Sequence, residues 1–164
     1  MNNAIKTIIA DLNNVFAPMD ADVLKDTLRW ALERRDAVKA FRSSDEYQKL
    51  RRDPFAAYAE LYRIAGGKVW YNALHGNSNE AIEKFVAKSC AATVAKRNNT
   101  IAKKLAKAEV TRVIESKFEN TDDGFNGVFV VETNAGTKSV NINTIIAGGY
   151  NIQCLHLRVL TKIK

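Results

Sequence analysis

The pattern of apolar residues changes near Glu109, and this change constrains the fold more than any other feature of the sequence. Before Glu109, apolar residues recur at the three- and four-residue spacing of amphipathic helices. After Glu109, β-branched and aromatic runs alternate with turn residues, a pattern typical of antiparallel strands. We therefore predict an α+β fold, in which a helical N-terminal half and a long basic helix pack on one face of a C-terminal three- to four-stranded antiparallel sheet.

The length of 164 residues fits a single domain. We expect residues 1–164 to form one unit, with a helical subregion at 1–76 and a long helix plus an antiparallel meander at 78–164. An apolar fraction of 46% with 26% charged residues is ordinary for a globular protein of this size. Such a chain can therefore form a core without disulfides or metals.

Prolines and capping residues set the expected limits of the first helices. Residues 5–16 have helical spacing, and Pro18 is expected to end that helix because proline lacks the N–H group that continues it. Asp20 then resembles the N-cap of a second helix that reaches Phe41.

The next helices have clearer boundaries. Ser43 or Ser44 is expected to begin a short helix that ends near Arg52. Asp53 followed by Pro54 predicts the start of another helix, which should end at Ala65 before a glycine pair.

The segment 68–76 is interpreted as an aromatic connector, and Ser78 as the cap of a long helix over residues 79–107. Asn98 and Asn99 form a weak point in that helix.

Four strands and two tight turns are expected after the long helix. Asn134 to Gly136 is interpreted as a three-residue hairpin loop, which sets Thr133 opposite Thr137 and Glu132 opposite Lys138. Gly148 and Gly149 are interpreted as a two-residue loop that sets Ala147 opposite Tyr150. The expected strands cover residues 110–119, 127–133, 137–146 and 150–163. The two registers together predict one apolar face, composed of Val128, Val130, Val140, Ile142, Leu155 and Leu157.

The net charge of +7 comes from one segment. The window from Lys84 to Ala108 holds no acidic residue, and the rest of the chain is neutral overall. The seven basic residues of this window are Lys84, Lys88, Lys96, Arg97, Lys103, Lys104 and Lys107.

A helical projection separates the charges of this segment from its apolar residues. At about 100° per residue, Val94, Ile101, Leu105 and Ala108 form one stripe. Lys96, Lys103 and Lys107 fall on the far side, flanked by Arg97 and Lys104. A face without carboxylates attracts phosphate polymers through counterion release. The alternative is a solvated surface that only keeps the protein in solution.

The opposite face of the predicted sheet carries polar groups. It is expected to hold Cys154, His156 and Arg158, with Asn141 opposite His156 and with Phe129 nearby. One interpretation is a ligand surface on which Phe129 stacks and His156 and Arg158 contact anions; the other is an ordinary polar sheet face.

Enzymatic chemistry is poorly supported. The chain has two histidines and two cysteines, and Cys154 and His156 supply only two of the ligands that a zinc site needs. Their two-residue spacing on a strand separates them by about 6.5–7 Å, too far for a nucleophile and its base. We therefore expect no catalytic residues, no metal and no cofactor.

The sequence also indicates a compartment. No apolar run approaches the roughly 20 residues of a membrane helix, and the N-terminal residues lack a leader pattern. We expect a cytoplasmic protein with no membrane contact, whose two cysteines are reduced thiols.

Three stretches resemble a known group of proteins. They read AKRNNTIAKKLAKAEV, DDGFNGVFVVETNAG and INTIIAGGYNIQCLHLRVLTKIK. Together they cover about Thr93 to Lys164 and resemble the C-terminal part of small accessory proteins of tailed bacteriophages. The resemblance implies a product made in the cytoplasm of an infected bacterium that acts by binding nucleic acid, a host protein or a signalling nucleotide, as in host takeover. It implies no catalytic residue.

The leading hypothesis is a non-catalytic binding protein for nucleic acid or another phosphate-rich ligand. The expected contact residues are Lys96, Arg97, Lys103, Lys104, Lys107, His156 and Arg158. The alternative is an inhibitor or assembly factor that binds a host protein through the Trp70–Tyr71 segment or the N-terminal helices. Pairing of the first helix with a second copy, as a homo-oligomer, also fits the sequence.

Overall fold

A computed structural model describes residues 2–121, 124–146 and 157–164 of the chain. Five helices precede four strands in the described part, which confirms the α+β prediction. The helices are α1 (Asn3–Arg42), α2 (Asp45–Leu50), α3 (Pro54–Ala65), α4 (Lys68–Leu74) and α5 (Asn79–Lys107). The strands are β1 (Val110–Thr121), β2 (Gly124–Thr133), β3 (Gly136–Ile146) and β4 (Leu157–Ile163).

The contacts divide the chain into two compact units. Unit 1 comprises Met1–Ala21 and Ala91–Lys164, and unit 2 comprises Asp22–Cys90. Helices α1 and α5 each contribute residues to both units.

Local capping chemistry begins α2 and α3 of unit 2 where the sequence predicts. The carboxylate of Asp53 accepts hydrogen bonds from the backbone N–H groups of Phe55 and Ala56 at 3.0 and 3.2 Å. Pro54 occupies the first turn of α3, and Gly66 ends the helix in the left-handed conformation with φ 88°. Ser44 caps α2 in the same way by accepting from the N–H of Tyr47 at 3.2 Å.

The predicted break at Pro18 is wrong. α1 continues through Pro18, and Asp20, the predicted N-cap, lies inside the helix. A proline inside a helix costs about 3 kcal/mol, because it removes a hydrogen bond and crowds the preceding turn. Tertiary contacts on both sides outweigh this cost: Phe16 is fully buried, and Asp20 forms an ion pair with Arg97.

Two further expectations about the helices need correction. The segment interpreted as an aromatic connector forms α4, in which Tyr71 and Leu74 are buried. Asn98 and Asn99 do not interrupt α5. Burial of one helix face outweighs the weak helix propensity of asparagine, and the predicted limits of α5 are confirmed.

Aromatic side chains fill much of unit 2. Trp70 packs edge-on against Trp30 and Phe85, with ring centroids 4.9 and 5.3 Å away. Tyr71 is 6% exposed and belongs to a buried cluster with Val38, Leu61 and Ala65. Trp70 is partly buried and Tyr71 almost fully buried in this unit, and their use as anchors for a partner stays a prediction.

The core of unit 1 lies between helices and one face of the sheet. Apolar residues from the start of α1 and the end of α5 pack against inward side chains of the strands. The buried cluster comprises Ala4, Ile5, Ile8, Leu12, Phe16, Ile101, Leu105, Val110, Phe125, Phe129, Val131, Val140 and Ile142.

The sheet has the strand order β1-β2-β3-β4, but the predicted register of its central hairpin is wrong by one residue. Thr133 pairs with Gly136, and Phe129 with Val140. The Thr133 hydroxyl accepts from the N–H of Ala135 and donates to the carbonyl of Gly136 at 2.8 Å, which closes the turn one residue earlier.

The shift exchanges the two faces of β2. Phe129, which was expected on the polar face, and Val131 are buried, while Val128 and Val130 are only half-buried. Glu132 lies opposite Thr137 and not Lys138. A one-residue change in a turn has this effect because successive side chains of a strand point to opposite faces.

The predicted pairing of the last two strands is also wrong. Val140 pairs with Ile163 and Ile142 with Thr161, where the sequence predicted Leu157 and Leu155 as their partners. The β3–β4 ladder closes at Ile146 and Leu157, so ten residues connect the strands. The predicted Gly148–Gly149 turn falls within 147–156, outside the described residues.

Gly127 makes room for an aromatic cluster on the buried sheet face. It lies opposite Phe118, whose ring stacks on Phe125 at 5.6 Å and meets Phe129 edge-on at 5.5 Å. A Cβ atom at Gly127 would lie 3.0 Å from Cζ of Phe125 and 3.4 Å from Cδ1 of Phe118. Both rings therefore fill the space that a side chain would occupy.

We expect Gly127→Ala to lower the free energy of unfolding by about 1–3 kcal/mol, as for other overpacked cores. Urea denaturation followed by circular dichroism would measure this change. Ser139→Ala, on the opposite face of the same sheet, is the control and should stay within about 0.5 kcal/mol of the parent. Equal stability of the two variants would contradict the packing argument.

Candidate nucleic-acid interface

The C-terminal half of α5 has the two-sided character that the sequence predicts. Ile101 and Leu105 are 1% and 0% exposed and pack in the core of unit 1. Val94 and Ala108, the other members of the predicted stripe, are partly buried. This burial fixes which side of the helix faces outward.

Four lysines occupy the outward side. We call Lys96, Lys103, Lys104 and Lys107 the lysine face; all four are exposed. The first and last lie eleven residues apart, or about 16 Å along the axis at 1.5 Å per residue. On a helical projection, Lys96, Lys103 and Lys107 fall within about 40° of one another, and Lys104 lies to one side.

The lysine face is not neutralised by its surroundings. Within residues 2–121, 124–146 and 157–164, none of its ammonium groups forms an ion pair with a carboxylate. The nearest acidic residue in sequence, Glu109, has φ 54° at the end of α5 and accepts a hydrogen bond from Asn134 at 3.2 Å. The cationic charge of the face is therefore exposed to solvent.

Arg97, predicted to join this surface, does not. Its side chain is 8% exposed, and its guanidinium donates two hydrogen bonds to the carboxylate of Asp20 at 2.9 and 2.8 Å. The guanidinium carbon lies 4.4 Å from the ring centroid of Phe16. Arg97 is a structural residue of unit 1, because both its charge and its planar face are already engaged.

Of the residues predicted on the polar face of the sheet, some lie outside the described part of the chain and others lie elsewhere than predicted. His156 and Cys154 lie outside the described residues, so their roles stay predictions. Arg158 lies on β4, where its backbone pairs with Ile145. Phe129 is fully buried and cannot stack on a ligand, and Asn141 faces Lys162 instead of His156.

No cluster of three or more histidine, cysteine, aspartate or glutamate residues has the geometry to hold a metal ion in the described part of the chain. None of the helices described combines the length and the apolar character that crossing a membrane requires.

A second cationic cluster was missed by the sequence reasoning. In unit 2, Arg35, Lys39 and Arg42 of α1 line an open cleft of about 610 Å³ together with His75. The helical spacing of 35, 39 and 42 was visible in the sequence. It was overlooked because acidic residues elsewhere on α1 balance the charge of that segment.

Comparisons of this chain with protein-family models, with curated proteins and with solved structures found no match.

We expect Asp20→Asn to lower the free energy of unfolding by about 2–4 kcal/mol, because it leaves the buried guanidinium of Arg97 without a counter-charge. Urea denaturation would measure the loss. Asp22→Asn removes the same charge from an exposed position two residues further on and should change stability by less than about 0.5 kcal/mol. Similar small effects for both substitutions would show that the ion pair contributes little.

Proposed function

We propose that this protein is a non-catalytic binding protein that contacts nucleic acid, or another phosphate polymer, through the lysine face of α5. The observation that supports the proposal is the exposure of four lysines on one side of a helix whose other side is buried. Unpaired ammonium groups release condensed counterions from a polyanion when they bind it, and this release drives association.

The arrangement favours contact with phosphates over contact with bases. A face of about 16 Å spans the axial rise of roughly five phosphates of one DNA strand, since each phosphate advances about 3.4 Å along the duplex axis. Lysine is a flexible point charge without the planar fork that reads base edges. None of the side chains that make up the lysine face is aromatic. The proposed binding is therefore independent of sequence.

The cellular setting of this proposal follows from the resemblance to phage accessory proteins. A protein made in the cytoplasm of an infected bacterium meets both host and phage nucleic acid there. His156 and Arg158 stay in the proposal as additional anion contacts, whereas Arg97 is removed from it because its guanidinium is bound to Asp20.

Salt dependence tests the proposal directly. With four phosphate contacts, the logarithm of the association constant for duplex DNA should fall with the logarithm of salt with a slope of about −3.6. Affinity for a fluorescent duplex should therefore drop roughly 100-fold between 50 and 200 mM salt. Fluorescence anisotropy would measure both quantities.

A matched pair of variants separates the lysine face from net charge. Substituting glutamine at Lys96, Lys103, Lys104 and Lys107 should abolish most binding and reduce the slope. A control of equal net charge carries glutamine at four other exposed lysines and should bind nearly as the parent does; these are Lys25, Lys49, Lys68 and Lys162. No binding at low salt, or equal losses in both variants, would contradict the proposal.

A second candidate function, binding to a host protein, is favoured by one observation. Phe55 and Tyr58 lie one turn apart on α3 and are 90% and 51% exposed. Exposed aromatic side chains of this kind are common anchors of interfaces. A partner that the parent retains from nuclease-treated lysate, and that a Phe55→Ser, Tyr58→Ser variant loses, would favour this function.

A further inference from the structure

The cleft in unit 2 joins residues of α1 to the segment that follows α4. Its wall on α1 contains Arg35, Asp36, Lys39 and Arg42, and its opposite wall contains Leu74 and His75. A volume of about 610 Å³ lies within the range of small-molecule sites. We call this feature the cationic cleft.

Two basic side chains meet inside the cationic cleft. Nη1 of Arg42 lies 2.5 Å from Nε2 of His75, 3.0 Å from Nδ1 of the same ring and 3.5 Å from the hydroxyl of Tyr71. The imidazole of His75 stacks on the ring of Tyr71 with centroids 5.1 Å apart and 14° between the planes. Because an arginine only donates hydrogen bonds, this contact requires a ring nitrogen of His75 that accepts, as one nitrogen of the neutral imidazole can.

The acidic residue of the cleft does not balance these charges. The carboxylate of Asp36 forms an ion pair with Arg35 at 2.9 Å. Arg42 contacts a histidine and tyrosines and has no carboxylate partner among the residues that the structure describes. Lys39 is exposed and adds a third positive charge on the same face of α1.

We propose that the cationic cleft binds a small tetrahedral dianion of the phosphate or sulfate class, held between Arg42, Lys39 and His75. Arginine and lysine donate to such an anion as they do at phosphate sites, and the guanidinium supplies directional hydrogen bonds. The anion would take the position of the carboxylate that Arg42 lacks. This site lies in unit 2, and it is independent of the lysine face of α5 in unit 1.

Binding should depend on the protonation of His75. Burial, and secondly the positive charge of Arg42, lower the pKa of His75 below its ordinary value in the free protein. An anion beside the ring favours its charged form and raises that pKa, so affinity must rise as the pH falls through it. The charged and titratable groups around His75 are Arg35, Asp36, Lys39 and Arg42 on α1 and Tyr71 on α4.

Titration with sulfate tests the proposal, because sulfate stays a dianion between pH 5.5 and 7.5. The full chain would be titrated at constant ionic strength while the ring protons of His75 are followed by NMR, with a His156→Gln variant to assign them. We expect a saturable shift, a higher pKa of His75 with sulfate bound, and affinity about 5- to 10-fold higher at pH 5.5 than at pH 7.5, since one pKa unit is worth a factor of ten. Inorganic phosphate should compete with sulfate.

Variants locate the anion within the molecule. Arg42→Gln should weaken sulfate binding at least 10-fold, and Lys39→Gln, an exposed position that leaves the Arg42 contacts intact, about 3-fold. Arg52→Gln removes the same charge at an exposed position outside the cleft and should bind within 2-fold of the parent. Circular dichroism would verify that each variant is folded.

Three outcomes would overturn the proposal: a shift of His75 that grows linearly without saturation, equal binding by the Arg42→Gln and Arg52→Gln variants, or loss of sulfate binding in the variant with glutamine throughout the lysine face. The last outcome would assign the anion to α5, whereas loss of DNA binding with sulfate binding retained would separate the two sites.

Discussion

The buried contact between Arg97 and Asp20 is the interaction on which unit 1 depends. Arg97 comes from α5 and Asp20 from α1, two residues after the proline that should have ended that helix. The guanidinium is held on one side by a bidentate carboxylate and on the other by the ring of Phe16. Such pairs are strong because the geometry of the fork matches both hydrogen bonds.

The same contact explains why α1 continues past Pro18. The proline leaves one backbone carbonyl without its helical donor and crowds the preceding turn. Phe16, before the proline, meets Phe125 of the sheet edge-on at 5.3 Å, and Asp20, after it, is fixed by Arg97. Because both sides of the proline are anchored, the helix continues through it at a cost that the core contacts offset.

Short-range signals in the sequence predicted much of the fold. The limits of α3 follow from Asp53, Pro54 and Gly66, whose effects act within one turn, and the limits of α5 follow from Ser78 and the switch to strands at Val110. The continuity of α1 could not be predicted in this way, because it depends on a partner 77 residues away in the chain.

The register of the sheet also could not be predicted from short-range signals alone. Gly136 was expected to be the last residue of a three-residue loop, yet the hydroxyl of Thr133 closes the turn one residue earlier, and Gly136 has φ 101°. Composition does not reveal such a side-chain hydrogen bond, and both registers give an alternating pattern. The residues that decide between them are aromatic: Phe125, Phe129 and Phe118 fill the space above Gly127, which has no side chain.

The sequence predicted the lysines of the candidate site but not the position of Arg97, and the difference has a physical reason. Amphipathic spacing located the buried stripe of α5 and therefore its exposed lysines, but it could not distinguish Arg97 at the boundary, which turns inward to Asp20. The helix dipole supplies a competing explanation for some of the charge, because cations near a helix C-terminus are stabilising. That explanation covers Lys104 and Lys107, which lie in the last turn.

It does not cover Lys96 and Lys103. The dipole effect falls off within the last turn, and Lys96 lies about three turns before the end of α5. Lys103 and Lys107 are four residues apart, a spacing at which like charges destabilise a helix by about 0.2–0.5 kcal/mol. The stability of the helix alone therefore does not explain why positions 96 and 103 are cationic. The proposed polyanionic ligand would explain them, because it would turn the repulsion among the lysines into attraction for a shared partner.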